Sequence, residues 1–279
     1  MICSEKFFIQ THETEKMLFV SRTENIKSET FSPCCMTPDD VDYEMQTGKH
    51  PEILEICGMN QKSFEHFVRH YAKNYRYLYF FKCQLISDFS PHADLEKLET
   101  VRIYWNIRTD KLWNFEKNTA LHTLSVSDAK KITRNPDLLK TSKHLKTVAI
   151  SGSAFENYPL ESLECFSDLP SLQTLWLSNI RLLDHSMNFL HTLPNLQQFD
   201  FDAGMLTTEE IARIVAEYPA LSGKSLCAYN TEDAVLNDVR VCGTRKPGLD
   251  IPAHQKRLDK YIAEFNALVE AYRKEIQSR

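Results

Sequence analysis

The 279-residue chain carries a formal net charge of −5, its 33 Lys and Arg mixed among 38 Asp and Glu. That mixture has neither the basic tract of a nucleic-acid binder nor a polybasic membrane anchor, and no run of about 18 apolar residues is present to span a bilayer. Hydrophobic residues at 42% can fill a core, while eight cysteines are too sparse for a disulfide scaffold.

The first stretch, residues 1–16, sets charged residues around only a three-residue apolar run from Phe7 to Ile9, which does not read as a secretory signal. A cytoplasmic location is therefore the expectation. Two β-prone runs, residues 6–10 and 17–20, predict a hairpin. Thr37-Pro38-Asp39-Asp40 predicts a helix start, with proline in the first turn and acids beside the positive end of the helix dipole. Residues 1–50 are expected to form an N-terminal cap.

From residue 51 one phrase repeats: leucine, two residues, an apolar residue, one residue, another apolar residue. Its clearest copies are Leu98-x-x-Val101-x-Ile103, Leu121-x-x-Leu124-x-Val126, Leu145-x-x-Val148-x-Ile150, Leu172-x-x-Leu175-x-Leu177 and Leu196-x-x-Phe199-x-Phe201. Looser copies start at Pro51 and Tyr75, and a decayed one, Leu221-x-x-Lys224-x-Leu226, follows. The steps are 24, 23, 23, 24, 27, 24 and 25 residues. This period and phrase resemble the leucine-rich repeat family. The resemblance implies an α/β leucine-rich repeat solenoid over residues 51–230, with a parallel concave sheet of seven to eight strands. It also implies a module that recognises another protein without catalysing a reaction. The family favours Asn or Cys at the ninth position, and only Cys83 and Asn106 comply, so the curvature is expected to be irregular.

Between strands, residues 63–73 and 207–217 carry apolar residues at helical spacing, and Thr207 followed by Glu210 predicts a capping box. The phrases Leu169-Pro170-Ser171-Leu172, Leu193-Pro194-Asn195-Leu196 and Tyr218-Pro219-Ala220-Leu221 end a return segment with proline and deliver the next strand. The 27-residue step predicts an inserted loop over residues 152–160. Residues 231–279 are read as a C-terminal unit: a strand near 238–243, then an amphipathic helix over about 253–277 whose stripe runs from Leu258 to Ile276.

Strand alternation sends the residues between the apolar pair to the concave face. Three columns result. The first reads Ile53, Tyr77, Thr100, Thr123, Thr147, Thr174, Gln198; the second Glu55, Tyr79, Arg102, Ser125, Ala149, Trp176, Asp200; the third Cys57, Phe81, Tyr104, Ser127, Ser151, Ser178, Asp202. Threonine suits a strand by propensity alone. Tyr77, Tyr79, Phe81, Arg102, Tyr104 and Trp176 are different, because aromatics and arginine are what protein interfaces enrich. Expected to face water, they form a candidate partner-binding surface, unless a terminal segment covers them. Asp200 and Asp202 lie near its other end, as an acidic patch for a basic partner or as solvated charges.

No catalytic arrangement emerges. His66 and His70 have the spacing of two metal ligands on a helix but lack the glutamate of a metalloprotease motif, and no phosphate loop, dinucleotide fingerprint or nucleophile elbow occurs. No metal or cofactor is expected. The alternatives to a recognition scaffold are an immunity-type inhibitor drawn to its enzyme by Asp200 and Asp202, and a thiol enzyme using Cys34 or Cys35.

Overall fold

The computed structural model describes residues 17–20, 36–47 and 53–278, and in them the repeat becomes a parallel sheet. Its eight strands are β1 (Met17–Val20), β2 (Ile53–Cys57), β3 (Tyr77–Phe81), β4 (Thr100–Tyr104), β5 (Thr123–Ser127), β6 (Thr147–Ser151), β8 (Thr174–Ser178) and β10 (Gln198–Phe201). They pair in order of sequence; from β2 onward each lies one repeat along from the last, and β1 adds an edge strand from outside the repeat. β7 (Tyr158–Ser162) and β9 (Ile180–Asp184) form a separate two-stranded parallel sheet. The stretch expected as an inserted loop thus continues into a strand. Tyr158 and Leu160 alternate inward and meet Ile180 and Leu182, so β7 has a buried face of its own.

The register follows the repeat residue by residue. Leu54, Leu78, Val101, Leu124, Val148 and Leu175 lie side by side across adjacent strands, as do Ile56, Phe80, Ile103, Val126, Ile150 and Leu177, and all are buried. Each such side chain contributes roughly 1.5–3 kcal/mol through its removal from water. A slip by one residue would turn both columns out of the core, so the pairing is strongly specified.

Strands end on a shared device. Lys82, Trp105, Asp128 and Asn179 each follow a strand and adopt left-handed backbone, with φ of 52°, 60°, 51° and 50°. For residues with a Cβ that conformation costs roughly 1–2 kcal/mol. The amides of the first three still donate to the next strand, to the carbonyls of Tyr104, Ser127 and Ser151. At the ninth position Asn106 is buried and donates to the carbonyls of Cys83 and Ile86, while its Oδ1 accepts from the amides of Arg108 and Thr109.

The returns are mostly 3₁₀ turns, with α-helix where apolar spacing allows it: α1 (Pro38–Thr47), α2 (Gln61–His70), α3 (Lys130–Arg134) and α4 (Thr208–Glu217). Thr207 caps α4 and Glu210 reaches back to the Thr207 amide, forming the expected capping box. The decayed copy after Leu221 keeps only an isolated parallel bridge, Gln198 with Ser222. Beyond it, β11 (Tyr229–Asn230), β12 (Val239–Val241) and β13 (Gly248–Leu249) make an antiparallel sheet, and α5 (Gln255–Gln277) packs along α4. From the α5 stripe Leu258, Phe265 and Val269 are buried, while Ile276 is exposed. Of the residues expected to form a hairpin, 17–20 run parallel to β2 as its edge neighbour, and 6–10 lie outside the described residues.

Candidate binding face

The three columns stand in the expected register up to Asp202, which falls one residue past the end of β10. Tyr77, Tyr79 and Phe81 on β3 lie beside Thr100, Arg102 and Tyr104 on β4. The guanidinium of Arg102 sits 4.5 Å from the centre of the Tyr79 ring and 5.9 Å from that of Tyr104. Phe81 stacks on Tyr104 at 5.3 Å with 13° between planes, and Lys82 lies over the rings of Phe81 and Trp105. At the other end of β3, Tyr77 donates to Glu99, which Arg76 also pairs at 2.5 Å. Four of the eight expected residues, Tyr79, Arg102, Tyr104 and Phe81, therefore form one ladder of cation and aromatic faces, with Tyr77 beside it on β3.

The ladder does not reach Trp176. β5, β6 and β8 follow β4, so three interstrand steps of about 4.8 Å separate Arg102 from Trp176. Ser125, Ser127, Ala149 and Ser151 fill the interval with small side chains. The face thus has an aromatic wall, a shallow trough and a single tryptophan beyond it.

Exposure departs from the expectation of side chains facing water. Tyr79 is only 6% exposed and Arg102 4%, while Tyr77, Phe81, Tyr104 and Trp176 are half-buried. Arg102 is laid against two rings and Phe81 is stacked, so the ladder's members cover one another. Thr100 and Ser125 are fully buried, and their hydroxyls have no hydrogen-bond partner among the described residues. Glu55, beside Tyr79 in the register, is buried as well; loss of solvent raises its carboxyl to about 7 against the pull of Arg102.

Asp200 and Asp202 are hydrogen-bonded within the chain. β10 stops at Phe201, so no strand carbonyl is available to the amide of Asn179, and the Asp202 carboxylate accepts it instead at 2.5 Å. Asp200 accepts the Lys224 amide at 2.7 Å. Lys224 Nζ then bridges Asp202 at 3.3 Å and Asp233 at 2.6 Å. Burial raises the Asp202 carboxyl while Lys224 opposes the rise. Asp200 is buried, while the Asp202 side chain keeps 35% of its surface exposed.

These residues also floor a cleft of about 550 Å³ that the sequence did not indicate, lined by Asn179, Asp202, Lys224, Asp233, Arg240 and Arg245 among others. The segment joining β11 to β12 forms one wall and exposes Val235 at 89% and Leu236 at 91%. Phe155, in the loop after β6, is 97% exposed. Paired apolar residues on a tight connection were the available signal.

His66 is taken up by a clasp between helices. Its Nε2 lies 2.6 Å from Asp42 Oδ1 on α1, and Tyr71 donates to the same oxygen at 2.6 Å. Those bonds hold the Asp42 carboxyl below its usual range. The His70 ring lies 4.5 Å from that of His66. No group of three or more His, Cys, Asp or Glu that could hold a metal occurs among the described residues. No described helix is long and apolar enough to cross a membrane. Cys34 and Cys35 lie outside the described residues.

No known protein family matches the chain, and no curated protein does. Among solved structures the chain is similar to internalin C2 of Listeria monocytogenes, at 20% identity and TM-score 0.38, over 53% of this chain and 60% of that one. It is also similar to internalin F of the same organism, at 15% identity and TM-score 0.39, over 61% of this chain and 52% of that one. Each match spans less than two thirds of the internalin's length. Seven parallel strands in sequence order, one per repeat from β2 to β10, with the apolar positions of the phrase buried in register, make this chain a leucine-rich repeat solenoid.

Proposed function

We propose that the chain is a non-catalytic protein-recognition scaffold, and that a protein partner docks on the concave face through Tyr77, Tyr79, Phe81, Arg102 and Tyr104, with Trp176 as a second anchor across the trough. The observation that carries this reading is the ladder of alternating cations and rings on two adjacent strands. Arginine, tyrosine and tryptophan dominate the energetics of protein interfaces, where a few such residues each account for about 2 kcal/mol or more. Here they stand on a hydrogen-bonded sheet and hold one another in place, so docking orders little that was free. The Ser and Ala trough lets a partner's chain approach the sheet between the two anchors. Asp200 and Asp202 act by fixing the far rim, since their oxygens are already bonded.

The test is capture of a stoichiometric partner from the native host's lysate by the wild type beside a Tyr104→Ala, Trp176→Ala variant, after circular dichroism has shown the same fold. Both residues are half-buried, so truncation spares the core. Loss of the partner with the variant, by about tenfold or more, supports the reading. Equal capture by both proteins places recognition elsewhere.

A further inference from the structure

Two thiols meet where the repeat array gives way to the C-terminal sheet. Cys227 precedes β11 and Cys242 follows β12, and these strands pair antiparallel with Tyr229 opposite Val241 and Asn230 opposite Arg240. The ladder runs one step further, where the Cys242 amide donates to the Ala228 carbonyl at 2.9 Å. This sets Cys242 opposite the residue that follows Cys227, and so brings the two cysteines side by side from fifteen positions apart in sequence. Neither is in a disulfide. Cys242 is fully buried, with Asn230 Nδ2 3.7 Å from its sulfur, whereas Cys227 is half-exposed and lies 2.9 Å from the Tyr229 carbonyl oxygen.

We propose that Cys227 and Cys242 are a redox modification site that closes to an intramolecular disulfide when met by a low-molecular-weight disulfide. Exposure assigns the order of events. The Cys227 thiolate attacks one sulfur of the small disulfide, forms a mixed disulfide and releases the first small thiol, which takes up the proton Cys227 gave up. Cys242 then loses its proton, attacks the Cys227 sulfur and expels the second small thiol, which takes up that proton. Two protein thiols are oxidised, and one small disulfide is reduced to two thiols. The neighbouring Cys242 lowers the Cys227 thiol, with burial and Asp233 opposing, while Cys227 and burial raise that of Cys242. The thiolate is the nucleophile, so Cys227 is the attacking residue. Cys165, by contrast, is buried with its thiol pushed up.

The consequence is structural. The hairpin between the two cysteines carries Asp233, which pairs Lys224 in the cleft floor, and the exposed Val235 and Leu236. A bond between Cys227 and Cys242 joins both feet of that hairpin and removes conformations from the unfolded chain. The cleft wall is then fastened to the last repeat.

The intact protein is equilibrated with excess oxidised glutathione, quenched with an alkylating agent, digested without reduction and mapped by mass spectrometry. The expected result is one cross-linked pair of peptides, Cys227 with Cys242, lighter by two hydrogens and separated again by dithiothreitol. Recovery of both residues as alkylated thiols, as persistent glutathione adducts, or linked to other cysteines overturns the proposal. This map is read on the wild type, so it stands even if a variant folds poorly. Cys227→Ser and Cys242→Ser each remove the linked pair. Linked wild type melts at a higher temperature than reduced wild type, and the two variants melt alike with and without oxidant. Equal melting of linked and reduced wild type overturns the locking of the hairpin.

Discussion

His92 is packed among the rings of Phe64, Phe80, Phe89 and Trp113, and its ring nitrogens make no hydrogen bond of good geometry among the described residues. Burial pushes the imidazole down from 6.5 to about 3, with the Phe89 carbonyl opposing only in part. Between those values the unfolded chain binds a proton that the folded chain excludes, so stability falls as pH drops below 6.5, by up to about 1.4 kcal/mol per pH unit. Denaturant titrations across that range should show the loss, and His92→Leu should flatten it. Glu55 runs the other way. Its carboxyl titrates near 4.5 when unfolded and at about 7 when folded, so the folded state holds the extra proton and stability falls as pH rises between the two. Glu55→Gln is expected to raise the unfolding midpoint well above pH 7 and to do little near 4.5; a gain of the same size at both would exclude a titrating carboxyl. The sequence placed seven of the eight candidate residues in their register, all but Asp202, because period-2 alternation decides which face a side chain takes. It misjudged how far they are covered, because alternation says nothing about one side chain lying on its neighbour, as Arg102 lies on Tyr79. The role of Asp202 was hidden for a similar reason: it depends on β10 ending one residue early, which the repeated phrase does not record.

At the scale of the element, α4 was the most legible, since its cap, its acidic first turn and its apolar spacing all agree on Thr207 to Glu217. Thr207→Ala removes the cap bond to the Glu210 amide and is expected to cost about 1 kcal/mol in denaturant unfolding. No change would mean that α4 is held by its packing on α5 alone. β7 was the least legible. Pro159 sits inside it, and a proline in a short run argues against a strand unless the strand is at an edge, as β7 is in its two-stranded sheet. Gly152 leads into this segment, and a Cβ there would lie 2.1 Å from the Asn179 carbonyl oxygen, which accepts the Tyr158 amide. Gly152→Ala should therefore destabilise the protein by roughly 2 kcal/mol or more and loosen β7, measured by hydrogen exchange at the Tyr158 amide. Wild-type protection at that amide in the variant would contradict this. The thiol pair was equally hidden, because fourteen residues and an antiparallel turn separate two cysteines with no spacing signature.

Over the whole molecule each repeat touches chiefly its neighbours, so the chain behaves as a row of units held by nearest-neighbour contacts. That is why the fold was legible from the phrase and its steps alone: a solenoid needs only the local unit and its period to be right. Function is a property of the surface the stack presents, and a phrase that specifies inward positions leaves the outward ones to be read singly. The ladder on β3 and β4 rests on that stack, with the buried columns of Leu78 and Val101 beneath it. The most direct measurement is site-specific photocross-linking in the native host's extract, with a photoreactive amino acid at position 104 on the concave face or at exposed position 116 in the return between β4 and β5. A partner that cross-links from position 104 and not from 116 is the predicted result. A partner that cross-links from 116 and not from 104 would contradict recognition on the concave face.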